Sequence, residues 1–176
     1  MIIAIAGLTG CGKNTLGELL ANELGYKLVC PTFKDLAAKE GISLNEFQKK
    51  AEKDPNIDKR FDAVLKEQAD KECVVTTWLG PWMVNADLKV KLFTPDEIRT
   101  KRIAARDKVS EKEALSAMKK RDEQNYSRYM KLYNIDIYSD DIFDVKLNSG
   151  IYSPDELLKI VLDIIRVKKA KKNLRK

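Results

Sequence analysis

Histidine is absent from the 176 residues, and the three cysteines, Cys11, Cys30 and Cys73, show no C-x-x-C spacing. These shortages remove the parts for Ser–His and Cys–His catalysis and for zinc sites built on His or paired Cys. The chemistry falls to carboxylates, lysines and arginines. No apolar run is long enough to span a membrane and no signal peptide precedes the first apolar stretch, so a soluble protein of a reducing cytoplasm is expected. There is no internal repeat and no low-complexity linker ahead of the C-terminal tail. Acidic residues are missing from Val167 to Lys176, which holds six basic ones, while the whole chain has a formal charge of +6, so the remainder is neutral. The positive excess is thus a property of this tail, read as a solvated or frayed end, with a weak contact to RNA or another acidic surface as the alternative.

What is present, 44% hydrophobic and 34% charged residues, supports one sizeable core in a single α/β domain. The chain is organised around GLTGCGKNT, Gly7 to Thr15, set between the apolar run Ile2 to Ala6 and the amphipathic stretch Leu16 to Leu24. Strand, glycine-rich turn and helix in that order form the context of a phosphate-binding P-loop. Gly7, Gly10 and Gly12 let successive N–H groups turn into one cavity, with Leu8, Thr9 and Cys11 between them, and the helix start adds positive field. Lys13 supplies an ammonium for the β- and γ-phosphates of a nucleoside triphosphate. In the pattern G-x-x-x-x-G-K-[ST] the residue after the lysine should carry a hydroxyl for Mg²⁺. Here it is Asn14, and the hydroxyl is displaced to Thr15. Cys11 is either a thiol activated at a helix N-terminus or a small spacer.

Further along, Tyr26 to Cys30 reads as a second strand, ended by Pro31. Phe33 to Lys39 looks helical, Ser43 to Glu46 has capping-box spacing, and apolar residues recur helically from Ile57 to Asp70. Cys73 to Thr77 is a third strand, followed by Trp78 and Trp82 at the edge where open α/β sheets bind ligands. These tryptophans could stack on a base or could be packing residues. Asp87 to Phe93 alternates like a fourth strand, and Thr94 to Glu97 reads as a capped helix start. Ser110 to Glu113 is another capping box. The basic residues that follow, Arg102, Arg106, Arg121 and Arg128, are either solvated faces or a set that closes over phosphates. Ile142 to Leu147 is the fifth strand, and Ser153 to Glu156 caps the last helix. Strands alternating with helices imply a parallel sheet.

The whole series resembles the archaeal-type cytidylate kinases, a branch of the P-loop nucleoside monophosphate (NMP) kinases, over nearly the whole chain to about Arg166. The resemblance rests on Gly7 to Thr15, Phe33 to Ala37, Gly41 to Phe47, Asp54 to Asp58, Gly80 to Met83, Arg102 to Asp107, Lys120 to Tyr129, Tyr133 to Ile137 and Leu147 to Ser149. It implies a three-layer P-loop fold with a five-stranded parallel sheet ordered 2-3-1-4-5 and transfer of the γ-phosphoryl of ATP·Mg²⁺ to CMP or dCMP. It further implies an NMP-binding helical insertion over about 31–70 and a lid over about 100–130, all in one monomeric domain spanning 1–166, followed by the basic tail 167–176. By the same resemblance Lys13 grips the transferring phosphate, and Arg102, Arg106, Arg121 and Arg128 act as lid or clamp. No general base is essential, because a CMP phosphate is already an anionic nucleophile.

Two departures fall on the acceptor side. Lys34 stands where relatives carry arginine, and Thr76, Thr77 and Trp78 stand where Glu-Gly-Arg is common. Lysine keeps a charge but loses bidentate phosphate recognition, and tryptophan removes a guanidinium altogether. The candidate acceptor residues are therefore Lys34, Asp35, Trp78 and Trp82, with Asp35 also readable as an ordinary acid at a helix start. The alternative to an active kinase is a nucleotide-binding protein of the same fold with altered acceptor specificity, or with a regulatory or RNA-associated role.

Overall fold

A computed structural model describes residues 1–54 and 56–174. Its elements run β1 (Ile2–Ala6), α1 (Lys13–Leu24), β2 (Lys27–Val29), α2 (Phe33–Lys39), α3 (Leu44–Lys53), α4 (Asn56–Gln68), β3 (Cys73–Val75), α5 (Gly80–Met83), β4 (Leu88–Phe93), α6 (Asp96–Asp107), α7 (Glu111–Tyr133), β5 (Val145–Asn148) and α8 (Pro154–Asn173). The five strands form one parallel sheet ordered β2-β3-β1-β4-β5, as the resemblance implies. β1 is central, with Ile3 opposite Val74 on one side and Leu88 on the other. Every strand-to-strand return passes through helix, as parallel pairing demands.

Alternation sorts the two faces. Ile3, Ile5, Val74, Leu88, Val90 and Leu92 pack against Leu16 and Leu20 of α1 and Leu157, Val161 and Ile165 of α8. Ala4, Val29, Cys73 and Val75 face the other way, toward Leu65 of α4 and Val84. Each fully buried aliphatic chain contributes about 1.5–3 kcal/mol relative to exposure. The α2–α3–α4 insertion has its own small core of Ala37, Phe47, Ala51 and Ile57, and α6 and α7 join through Ile103, Ala104, Ala114 and Met118.

Local signals held at most helix starts. Ser43, Ser110 and Ser153 each form a reciprocal capping box with the acid three residues on, and so does Thr32 with Asp35. Thr94 does not. The cap position of α6 is Pro95, without a side-chain bond, because the Thr94 hydroxyl is drawn instead to Ser149 Oγ at 2.6 Å. β3 is shorter than its apolar run, and β5 starts at Val145 after turns at 137–138 and 141–142. The basic stretch also departs from a frayed end: residues 167–173 continue α8. Lys168 donates to the Asp87 carbonyl at 2.6 Å and pairs with Asp144 at 2.9 Å. No described helix is long and apolar enough to cross a membrane.

Candidate active site

The C-terminal edge of β1 turns into a loop whose shape depends on missing side chains. Gly12 takes the cap position of α1 at φ 86°, in the left-handed region, and offers no side-chain acceptor to the first N–H groups of the helix. A Cβ on Gly7 would lie 2.5 Å from both Cys11 Sγ and the Leu92 carbonyl oxygen. Cys11 is thus a packed spacer, and burial pushes its thiol pKa up rather than activating it. The Cys11 N–H closes the turn on the Leu8 carbonyl at 3.2 Å. Asn14 and Thr15 are exposed on the first turn of α1. Unfilled N–H groups at a helix start form an anion site.

Lys13 is half-buried and makes no hydrogen bond or ion pair among the described residues. Its ammonium lies 5.7 Å from the centroid of the Trp78 ring. Burial lowers its pKa from 10.5, and the positive charge of Arg121 adds to the fall. Arg121 is itself exposed, with no ion pair among the described residues. Two cations in no ion pair among the described residues, beside an uncapped helix start, favour an anion.

Around the loop, α6 and α7 are wired by bonds that the sequence left unassigned. Arg99 is 4% exposed; its guanidinium donates to the Thr9 carbonyl at 3.0 Å, to Asp122 at 2.6 Å and to Asp96 at 2.6 Å. Asp122 also accepts from the Thr9 N–H at 3.4 Å, so α6 and α7 hold both backbone groups of one loop residue. Ser149, just past β5, donates to the Cys11 carbonyl at 2.6 Å and accepts from Arg102, whose other nitrogen donates to the Ser149 carbonyl at 2.6 Å. Arg102 therefore stands beside the loop, about 4.0 Å from where a Gly12 Cβ would be. Arg106 is directed elsewhere, in a bidentate pair with its exposed neighbour Asp107.

Arg128 parts company with the other arginines. It donates twice to Asp58 of α4, at 2.6 and 2.9 Å, with its guanidinium 4.9 Å from the Phe33 ring. It thus lies against the insertion, and the four arginines do not form one cluster. One helical turn on, Asp62 accepts from Tyr133. Both carboxylates are buried, and burial raises both pKa values; for Asp58 the bonds from Arg128 offset this only in part, and for Asp62 the Tyr133 hydroxyl does the same. A buried pair whose desolvation outweighs its attraction is a poor way to gain stability, which favours a functional use. Asp58 and Asp62 share an i,i+4 face among Ile57, Phe61 and Leu65, and that spacing is the signal that could have singled them out. Burial also raises the Tyr129 hydroxyl pKa.

Trp78 links the two halves, since it faces Lys13 and lies 6.4 Å from the Tyr129 ring. Trp82 packs edge-on against Phe143 at 5.3 Å, a packing role. Both tryptophans line a cavity of ≈ 180 Å³ beside Gly7, Leu8, Lys91 and Arg99. The exposed Asp35 serves the capping box of α2, accepting from the Thr32 N–H and hydroxyl, as its helix-start reading holds. The side chain of Lys34 lies outside the described residues. Thr76 and Thr77, at the end of β3, are buried with hydroxyls that lack a partner among the described residues, as is the hydroxyl of Thr9. No group of three His, Cys, Asp or Glu suited to a metal occurs among the described residues.

A parallel 2-3-1-4-5 sheet with a glycine loop, a free lysine and a helical insertion after β2 defines a P-loop phosphotransferase architecture. Comparison with solved structures agrees on the fold: a shikimate kinase from Acinetobacter baumannii superposes with a TM-score of 0.62 at 20% identity, covering 96% of this chain and 94% of that one. A gluconokinase from Sinorhizobium meliloti gives 0.59 at 16% identity, covering 98% and 95%. The chain belongs to the cytidylate kinase-like family, whose model matches residues 2–151. It is 39% identical to a cytidylate kinase of Archaeoglobus fulgidus, covering 97% of this chain and 98% of the relative. With a cytidylate kinase of Pyrobaculum islandicum it shares 41% identity, covering 94% and 92%.

Proposed function

We propose that this chain moves the γ-phosphoryl group of ATP to CMP or dCMP, giving ADP and CDP or dCDP. The observation that carries the reading is Lys13 and Arg121 at the glycine loop, neither in an ion pair among the described residues, joined through Trp78 and Tyr129 to the Asp58–Arg128 pair. In this reading residues 1–166 are one kinase domain, about 31–70 the acceptor insertion and about 100–130 the lid. Backbone N–H groups of Gly7 to Thr15 hold the donor phosphates and Lys13 follows the transferring group. A CMP phosphate oxygen attacks the γ-phosphorus in line and ADP leaves, with no proton to remove. Arg102, Arg106 and Arg121 serve the lid, and charge stabilisation by fixed cations is the main catalytic term.

On the acceptor side, cytosine presents an amine donor next to ring-nitrogen and carbonyl acceptors. A carboxylate beside a guanidinium, as in Asp58 and Arg128, complements that edge. Trp78 completes the proposed acceptor wall, while Asp35 and Trp82 keep their capping and packing roles. The exposed Thr15 hydroxyl suits a Mg²⁺ ion that arrives with the nucleotide, since Mg²⁺ keeps several waters and takes few protein ligands. Thr15 would hold it, and the ion would neutralise phosphate charge. ADP formation from ATP·Mg²⁺, measured against CMP, dCMP, UMP, AMP and GMP with an acceptor-free blank, tests the reading. Turnover with CMP or dCMP well above the blank is expected. ATP binding with no acceptor-dependent turnover would overturn it in favour of altered acceptor specificity or a regulatory role, the reading favoured by Trp78 beside Lys13.

A further inference from the structure

We infer that Trp78 is a latch on the P-loop lysine: a positioning residue that holds the Lys13 ammonium on its indole face in the empty site and yields it when an acceptor packs against the ring. The distance of 5.7 Å lies within the range of cation–π attraction, and no anionic group among the described residues pairs with this ammonium. A half-buried charge without a hydrogen-bond partner is costly, and the indole face offsets part of that cost. The ring is well placed to be held. It follows Thr76 and Thr77, 2% and 6% exposed, and precedes Leu79 and Gly80, both buried, so the backbone on either side is fixed. Its further aromatic neighbour, Tyr129, adjoins Arg128 and through it Asp58.

These contacts set up a competition. ATP phosphates must draw Lys13 off the indole, so donor binding without acceptor forfeits the cation–π contact. An acceptor that covers the indole has already displaced the ammonium, and the donor then binds without that loss. The two substrates become mutually reinforcing, and ATP is held loosely while the acceptor cleft is empty. This inference rests on the proposed function for the location of the acceptor, but the latch itself does not.

The experiment is calorimetric titration of a non-hydrolysable ATP analogue with Mg²⁺ into the wild type, Trp78→Leu and Trp78→Phe, each with and without CMP. Without CMP, Trp78→Leu is expected to bind the analogue roughly two- to thirtyfold more tightly than wild type, the span of one cation–π contact. Trp78→Phe, which keeps a weaker π face, should fall between them and guards against misfolding of the leucine variant. CMP should tighten analogue binding to the wild type by a similar factor, and barely alter it in Trp78→Leu. Equal or weaker analogue binding by both variants without CMP overturns the latch. Unchanged analogue affinity on adding CMP to a wild type that turns CMP over overturns release by the acceptor. Absence of any CMP turnover counts against the proposed function, while the titrations without CMP still decide the latch.

Discussion

Lys13 is a cation held where solvation is poor, and the direction of its pKa shift makes that measurable. Its folded-state pKa lies below the ordinary 10.5 through burial, so folding penalises the charged form. The penalty is fully present below the folded pKa and is relieved as pH rises through it toward 10.5. Lys13→Met should therefore raise the melting temperature of the nucleotide-free protein at pH 7, with the gain shrinking at alkaline pH, while lowering turnover by about two to three orders of magnitude. A melting temperature unchanged across the pH range would remove the strain argument. Asp58 supports a different expectation. Asp58→Asn keeps the shape but exchanges an all-acceptor carboxylate for an amide beside Arg128. The KM for CMP should rise, the KM for ATP should stay close to wild type, and the preference for CMP over UMP should fall by about ten- to hundredfold. Steady-state kinetics with both acceptors checks this; equal effects on both substrates would assign Asp58 to folding.

At the scale of elements, α6 and α7 are joined to the loop by the Arg99–Asp122 pair, at 4% and 5% exposure. Removing one member of a buried ion pair leaves the other charge stranded and costs about 3–5 kcal/mol. Arg99→Met should lower the urea midpoint by a corresponding amount and raise the KM for ATP, because the Thr9 carbonyl loses its donor. Lys101→Ala, which breaks the exposed pair with Glu97, should leave the midpoint unchanged and serves as the control. An equal response from both variants would mean that the clamp on Thr9 carries no weight. The pair also marks where sequence reading stops. The four capping boxes are local bonds between residues three apart, and three of them were legible from spacing at Ser43, Ser110 and Ser153. The glycine loop was legible because its backbone demands are local too. Arg99 meets Thr9 across 90 residues and Arg128 meets Asp58 across 70, so their partners follow only from how the helices pack. Thr94 failed as a cap for the same reason: a partner brought in by β5 outcompeted the local N–H.

For the molecule as a whole, the open issue is whether the basic end belongs to the working fold. α8 buries Leu157, Val161 and Ile165 against the sheet, all ahead of the lysines. Beyond them Lys168 fastens the helix to the N-terminal edge of the sheet through the Asp87 carbonyl and Asp144, whose carboxylate also accepts from the Lys89 N–H at 2.8 Å. Burial alone would raise the Asp144 pKa, but the Lys168 ammonium and the Lys89 N–H outweigh it and hold the value below the ordinary 3.8. A depressed carboxylate contributes stability that is present above its unfolded pKa and is lost as pH falls through the folded one. Deleting residues 168–176 removes all six basic residues of the tail and takes the formal charge from +6 to zero. Because Lys168 and Asp144 are each about one-third exposed, solvent screening limits the loss to about 1 kcal/mol or less. The truncated chain should therefore melt at most about 2–4 °C lower at pH 7, and the difference should narrow in acid. Its CMP-dependent turnover should match that of the full chain, while any salt-sensitive retention on a polyanion should disappear. A tenfold fall in turnover would place the end of α8 within the catalytic fold rather than at its margin.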